Sequence, residues 1–219
     1  MSNFTNHHPD ESMLLEFSAG TLETAISICV SAHLHYCSHC RAQLLRLDQV
    51  GSQIMTQSDP MTLADDSFER VMEKIDSADE PAVDNNTNGS DLPFSVNKLI
   101  NTSLVSKNWK RLSSSVDIAR FSTGQDNFEV ALHKIRAGGK TPKHDHEGLE
   151  YTVVLKGSFS DENAVYREGD FLLRQPGDVH QPMGAQNGEC ICLSALSAPI
   201  KPTSPLGFLI KPWLRINPM

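Results

Sequence analysis

The 219-residue chain predicts an α + β protein of two unlike domains, a small helical one followed by a β-barrel. Three observations carry that expectation. Up to about residue 75, apolar residues recur at intervals of three and four, the helical period. A polar, acidic run separates the halves. Beyond it the pattern changes to short apolar runs broken by glycine and proline turns, as in a sandwich or barrel.

In the first part, Asp10 is a plausible N-cap for a helix over Met13–Ala19, with Gly20 as its stop. Thr21–Cys37 carries Leu22, Ala25, Ile26, Cys29, Val30, His33 and Leu34 at helical spacing. Cys40 to about Val50 forms a third helix, ended by Gly51. Asp65 or Asp66 caps a fourth over Phe68–Ile75, with Val71 and Met72 turned inward. The run Ser77–Asp91, SADEPAVDNNTNGSD, has almost no large apolar group to offset the entropy of ordering it, and reads as a flexible linker. The expected division is therefore 1–76, helical; 77–92, linker; 93–219, barrel. Strands are expected at Val116–Phe121, Phe128–Ile135, Glu150–Lys156, Phe159–Ser160, Asn163–Tyr166, Asp170–Arg174 and Cys190–Leu196.

Composition limits the function classes. With 39% hydrophobic and 21% charged residues the chain can bury an ordinary core. No apolar run is long enough for a bilayer-spanning helix. Met1–Glu11 lacks the basic and apolar regions of a secretory signal. A cytoplasmic location is the resulting expectation. Five cysteines, two of them in a C-x-x-C, fit a reducing compartment, where such a pair is more often a metal or redox site than a disulfide. Charge is uneven. Residues 1–91 hold 15 acidic and 4 basic side chains, a balance of −11, and residues 92–219 hold 12 and 15, a balance of +3. So acidic a first half argues against direct nucleic-acid binding and for a basic protein partner. Acidity that merely keeps a small domain in solution is the plainer alternative.

Two residue constellations carry chemistry. His33, Cys37 and Cys40 form H-x-x-x-C-x-x-C. On a continuous helix they share one stripe of about 60° and supply three of the four ligands of a tetrahedral zinc site. His7 and His8 are the candidates for the fourth. A dithiol redox pair expects a βαβ setting that is absent, and simple core packing is the other alternative. A closed N₂S₂ shell favours zinc in a structural role.

The second constellation spans Gly138–Gly157. It matches the first cupin motif, G-x₅-H-x-H-x₃-E-x₆-G, at Gly138, His144, His146, Glu150 and Gly157. Gly169, Gly177 and His180 match the second motif, while Gln175 and Gly184 stand where it has proline and asparagine. The expected fold of the second part is thus a cupin barrel of jelly-roll type. On a strand the two histidines of H-x-H share a face, Glu150 follows a turn at Gly148, and His180 comes from a neighbouring strand. Three imidazoles and a carboxylate suit Zn, Fe, Ni or Mn. Cys190 and Cys192 share a face on a late strand, either as small core fillers or as redox-responsive thiols near the metal.

The run His7-His8-Pro9 through Ala19-Gly20-Thr21-Leu22, with Ala32-His33-Leu34 and Cys37-x-x-Cys40-Arg41, resembles the zinc-binding anti-sigma domain, and more narrowly the ChrR family of anti-sigma factors. With the cupin motifs behind it, the resemblance covers nearly the whole chain. It implies zinc held by His8 (His7 the close alternative), His33, Cys37 and Cys40. It implies an extracytoplasmic-function sigma factor as partner, released on a stress such as singlet oxygen or organic hydroperoxide. It implies that the cupin domain is needed for that response, with a small molecule or oxidant as its signal. Acidic residues of the first two helices and the fourth, Glu16 and Glu23 among them, are expected to face the sigma factor. The competing classes are a dioxygenase-like cupin enzyme with an accessory zinc domain and a ligand-binding module without turnover.

Overall fold

In the computed structural model, residues 5–78, 92–102 and 109–203 are described. Five helices come first: α1 (Glu11–Ser18), α2 (Thr24–Tyr36), α3 (Ser38–Thr56), α4 (Ser67–Ser77) and α5 (Phe94–Thr102). Asp10 caps α1 as expected, its Oδ1 accepting from Met13 N at 2.8 Å. Asp66 stands at the start of α4 without a side-chain cap bond and instead pairs with Arg70 at 3.7 Å. Gly51 does not stop α3, which runs on to Thr56. Its φ is not positive, and a glycine inside a helix costs only about 1 kcal/mol. α5 was not anticipated. Pro93 precedes it, and Val96, Leu99 and Ile100 give it a short helical stripe that packs against α2. Most of the expected linker, residues 79–91, lies outside the described residues.

The strands are β1 (Lys110–Arg111), β2 (Val116–Phe121), β3 (Glu129–Ile135), β4 (His144–His146), β5 (Glu150–Lys156), β6 (Ser158–Ser160), β7 (Val165–Arg167), β8 (Phe171–Arg174), β9 (Met183–Gly184), β10 (Cys190–Leu196) and β11 (Ile200–Pro202). They form an antiparallel six-stranded sheet, β1-β2-β3-β10-β5-β8, a three-stranded sheet, β7-β6-β9, and a two-stranded one, β11-β4. This is the cupin arrangement, built as separate sheets rather than a single closed barrel among the described residues.

The large sheet is buried on both faces, which explains the nearly continuous apolar runs of β3 and β10. Ile135, Val154, Leu172 and Cys192 point into the sandwich with Phe159 and Tyr166. Val130, Leu132, Val153, Leu193 and Ala195 point the other way, into one cluster with Leu14, Ile26, Val30 and Ala32. α2 lies across β5, β8 and β10 and covers that outer face. Burying each such valine, leucine or isoleucine contributes about 1.5–3 kcal/mol. Cys29 is a filler of this cluster, fully buried, its thiol pushed up to about 12 by burial. No described helix is long and apolar enough to cross a membrane.

α4 departs most from expectation. None of its residues is buried. Val71 and Met72, expected to face a core, are 54% and 40% exposed, and Phe68 and Ile75 are 71% and 59% exposed.

Candidate metal centres

The first centre is built on a break between two helices rather than on one continuous helix. Cys37 ends α2 and begins α3 with an extended backbone (φ −97°, ψ 103°). Its Sγ accepts from Cys40 N at 3.3 Å and so caps α3. The break swings Cys40 back toward His33, whose Nε2 lies 3.3 Å from the Cys40 sulfur. The arm before α1 brings His8, with Nδ1 at 3.4 Å from both sulfurs. A tetrahedral zinc with bonds of about 2.0–2.3 Å spaces such N···S pairs roughly 3.6 Å apart. The four ligand atoms lie within 4.8 Å of one another. His7 is not among them. Its Nδ1 turns to Asp170, 3.6 Å away. The exposed ring of His39 stands 5.5 Å from that of His8.

Protonation fits a cation. Burial holds His33 down to about 4, so its ring is neutral. Its Nδ1 lies 2.6 Å from the carbonyl oxygen of Gly169 and donates to it, leaving the Nε2 lone pair toward the sulfurs. Burial, then the neighbouring Cys37, pushes the Cys40 thiol up to about 12. A thiolate there requires a positive charge beside it.

The second centre stands inside the sandwich. His144 and His146 lie on one face of β4, Glu150 opens β5 after the turn at Gly148, and His180 bridges to His144 from the loop between β8 and β9. All four come together within 4.8 Å. Each histidine is anchored through Nδ1: His144 on Pro142 O at 2.9 Å, His146 on Asp178 O at 2.9 Å, His180 on Asp161 Oδ2 at 3.0 Å. With Nδ1 donating, the Nε2 atoms of His144 and His180 carry lone pairs that face each other at 3.1 Å, while His146 Nε2 lies 2.7 Å from Glu150 Oε2 and donates to it. Two acceptors this close repel unless a cation lies between them. Burial holds His144 down to about 4 and lowers His180. Burial opposes the Glu150 carboxylate, but hydrogen bonding and charge from His146, then His144, hold it at about 2. Burial works against a charge on His146, but hydrogen bonding and charge from Glu150 raise its pKa, so a cation taking its Nε2 displaces the proton it shares with Glu150. Both clusters can hold a metal ion.

The anchoring residues carry no motif, and spacing alone does not reveal them. Asp161 is held by Arg174 (2.9 Å) as well as His180. We expect Asp161→Asn to lower metal affinity at this centre 10- to 100-fold, the usual effect of losing a carboxylate behind a ligating histidine. Chelator competition measures it.

The two centres are connected. Arg174 also bonds the Tyr166 hydroxyl at 2.6 Å, and the Tyr166 ring packs edge-on against His7, centroids 5.0 Å apart. Asp170, 1% exposed, accepts from the backbone N–H groups of Asn6 (2.8 Å) and His7 (3.2 Å) through Oδ1 and of Arg167 (2.8 Å) through Oδ2. Phe171 N donates to His7 O at 3.0 Å. The arm bearing His8 is thus fastened to the start of β8. Gly169 makes the close approach feasible. Its φ is +89°, and a Cβ there would meet Thr5 at 2.5 Å and Tyr36 at 2.6 Å.

Cys190 and Cys192 are both buried, with sulfurs 3.6 Å apart, and Cys192 lines a cavity that reaches the second centre. Glu16 and Glu23 are both exposed, and the Glu23 carboxylate accepts from Asn127 of the β-domain.

Comparison with known proteins agrees with this architecture. The ChrR cupin-like domain family matches residues 98–198. The anti-sigma-E factor ChrR of Cereibacter sphaeroides is 32% identical over 210 residues, which is 96% of this chain and 98% of that protein. A crystal structure of Rhodobacter sphaeroides SigE in complex with the anti-sigma ChrR contains a similar chain, 31% identical, with a TM-score of 0.74 over 88% of this chain and 100% of that one.

Proposed function

The chain belongs to the ChrR family, and from that premise we propose that it binds an extracytoplasmic-function sigma factor, withholds it from RNA polymerase, and releases it under oxidative stress such as singlet oxygen or organic hydroperoxide. The observation that carries this reading is the bare apolar stripe of α4. Phe68, Val71, Met72 and Ile75 repeat at helical spacing on a helix with nothing buried. Ile54 and Met55 at the end of α3 are likewise 63% and 73% exposed. An amphipathic helix left this way is suited to a hydrophobic groove on another protein. The −11 balance of residues 1–91 suits a basic partner surface.

In this reading residues 1–76 are the inhibitory domain, 77–92 the linker and 93–219 the sensing domain, and the protein works in the cytoplasm beside the polymerase. It is regulatory rather than catalytic. His8, His33, Cys37 and Cys40 hold zinc, which when bound ties the N-terminal arm, α2 and α3 together. His144, His146, Glu150 and His180 hold Zn, Fe, Ni or Mn. A change at the second centre reaches the arm through Asp161, Arg174 and Tyr166.

The test is co-expression with the sigma factor, copurification and a transcription assay. Val71→Asp with Ile75→Asp is expected to weaken binding at least 30-fold, the loss of two central anchors worth about 2 kcal/mol or more. Both side chains are exposed, so the melting temperature should not change. Glu16→Lys should weaken binding less, by a few-fold. Unchanged binding in the α4 variant would remove the proposed interface.

A further inference from the structure

The concave face of the large sheet encloses a cavity of about 190 Å³ that opens onto His144, Glu150 and His180. Its walls are mostly apolar, with Ile118, Ile135, Phe159 and Leu172 deep inside. A dry, apolar cavity of about 150 Å³ holds a molecule the size of benzene, so this one takes a slightly larger apolar body. Among the polar side chains of the lining, Ser194 and His133 stand out. Ser194 is 1% exposed, and its hydroxyl has no hydrogen-bond partner among the described residues. Nε2 of His133 also has none. Buried polar groups are normally paired, so the two together mark where a ligand's polar atom belongs.

The charges around them define that atom. Burial lowers the His133 pKa and keeps the ring neutral. Arg120 is neutralised by Glu129 at 2.9 Å. Thr152, opposite Ser194 across the β5–β10 pair, already donates to Glu150 Oε1 at 3.0 Å. Ser194 and a neutral His133 bring no positive charge to hold an anion, while an uncharged hydroxyl or keto oxygen satisfies both groups. The metal side differs. A divalent cation on three neutral histidines and Glu150 leaves one net positive charge, which attracts an anionic head.

We propose that the cavity binds a small apolar carboxylate carrying a second, uncharged oxygen a few bonds along its chain. The carboxylate turns to the His144/His146/Glu150/His180 centre, the apolar body fills the cavity, and the second oxygen bonds Ser194 and His133. The proposal rests on the reading of that cluster as a metal centre.

The experiment is calorimetric titration of the full-length, metal-loaded chain with 3-hydroxyoctanoate, octanoate and 1-octanol, with metal content measured directly. We expect 3-hydroxyoctanoate to bind about tenfold more tightly than octanoate, the effect of one buried hydrogen bond, and 1-octanol to bind far more weakly than either. Ser194→Ala should abolish the preference for the hydroxy acid, and Ile118→Trp, which fills the cavity, should abolish binding of both acids. Metal uptake without binding of either acid overturns the proposal alone, and so does a full hydroxy-acid preference in Ser194→Ala. Absence of metal uptake overturns the metal reading and the proposal with it, because the carboxylate would then face Glu150 uncompensated.

Discussion

Replacing Cys37 and Cys40 together with serine is expected to abolish sigma binding, by 100-fold or more, while leaving the β-domain folded. The reason lies in how little else holds α3. Cys40 is its only buried residue, and the 19-residue helix otherwise holds to α1 and α2 through half-buried Leu44 and Leu47 and exposed hydrogen bonds, Ser18 to Asp48 and Arg41 to the carbonyls of Leu34 and His35. The Cys37 sulfur also caps the helix. A structural zinc is linked to about 10–16 kcal/mol of folding free energy in small zinc modules, far more than one cap and a partial apolar stripe supply. Without the thiolates, His8 and His33 no longer bridge the arm to α2, and α3 and the segment leading to α4 lose their fixed direction. Amide hydrogen exchange reads this directly. Protection should fall across α3 and remain in β3, β5 and β10. Strong zinc chelation of the unmodified chain should do the same. Retained protection and undiminished sigma binding would show that α3 is placed by packing alone.

The second large effect is expected at Asp170, which touches neither candidate metal but fastens the arm bearing His8. Asp170→Ala leaves three backbone N–H groups, those of Asn6, His7 and Arg167, without their acceptor. Each such loss costs about 1–3 kcal/mol when water cannot replace the partner, and the Asn6 and His7 groups will be partly rehydrated. A total of about 3–4 kcal/mol corresponds to a melting temperature roughly 10 °C lower for a chain of this size. Metal affinity should fall at the first centre, because His8 rides on the loosened arm, and stay unchanged at the second. A purely local defect would lower the melting temperature while leaving both affinities intact.

How much of this was legible in advance depended on how local the determinants are. The His144/His146/Glu150/His180 set could be read because it matches the cupin motifs, and strand periodicity and a turn bring the first three side chains together over a short span of chain. Cys37 and Cys40 could be read for the same reason, although the geometry that unites them with His33 is a break at Cys37 rather than a continuous stripe. The choice of His8 over His7 came from family resemblance, since adjacent residues offer the same side chain. Its physical cause is Asp170, some 160 residues away, which turns His7 toward the sandwich. Asp161 and Gly169 were invisible as anchors because their partners come from distant strands and helices. α4 misled for a different reason. Its stripe is a proper amphipathic pattern, but periodicity tells only that one face avoids water, not whether the covering surface belongs to the same chain.

The account centres on a division of labour, with inhibition in the helical domain and release governed by the second metal centre. The most direct measurement compares sigma binding and sigma-dependent transcription for the unmodified chain and for His144→Ala/His146→Ala, with and without singlet oxygen or an organic hydroperoxide. The account predicts equal affinity and equal repression before stress, followed by release from the unmodified chain alone. A variant that no longer binds the sigma factor, or one that releases it normally under stress, would contradict it.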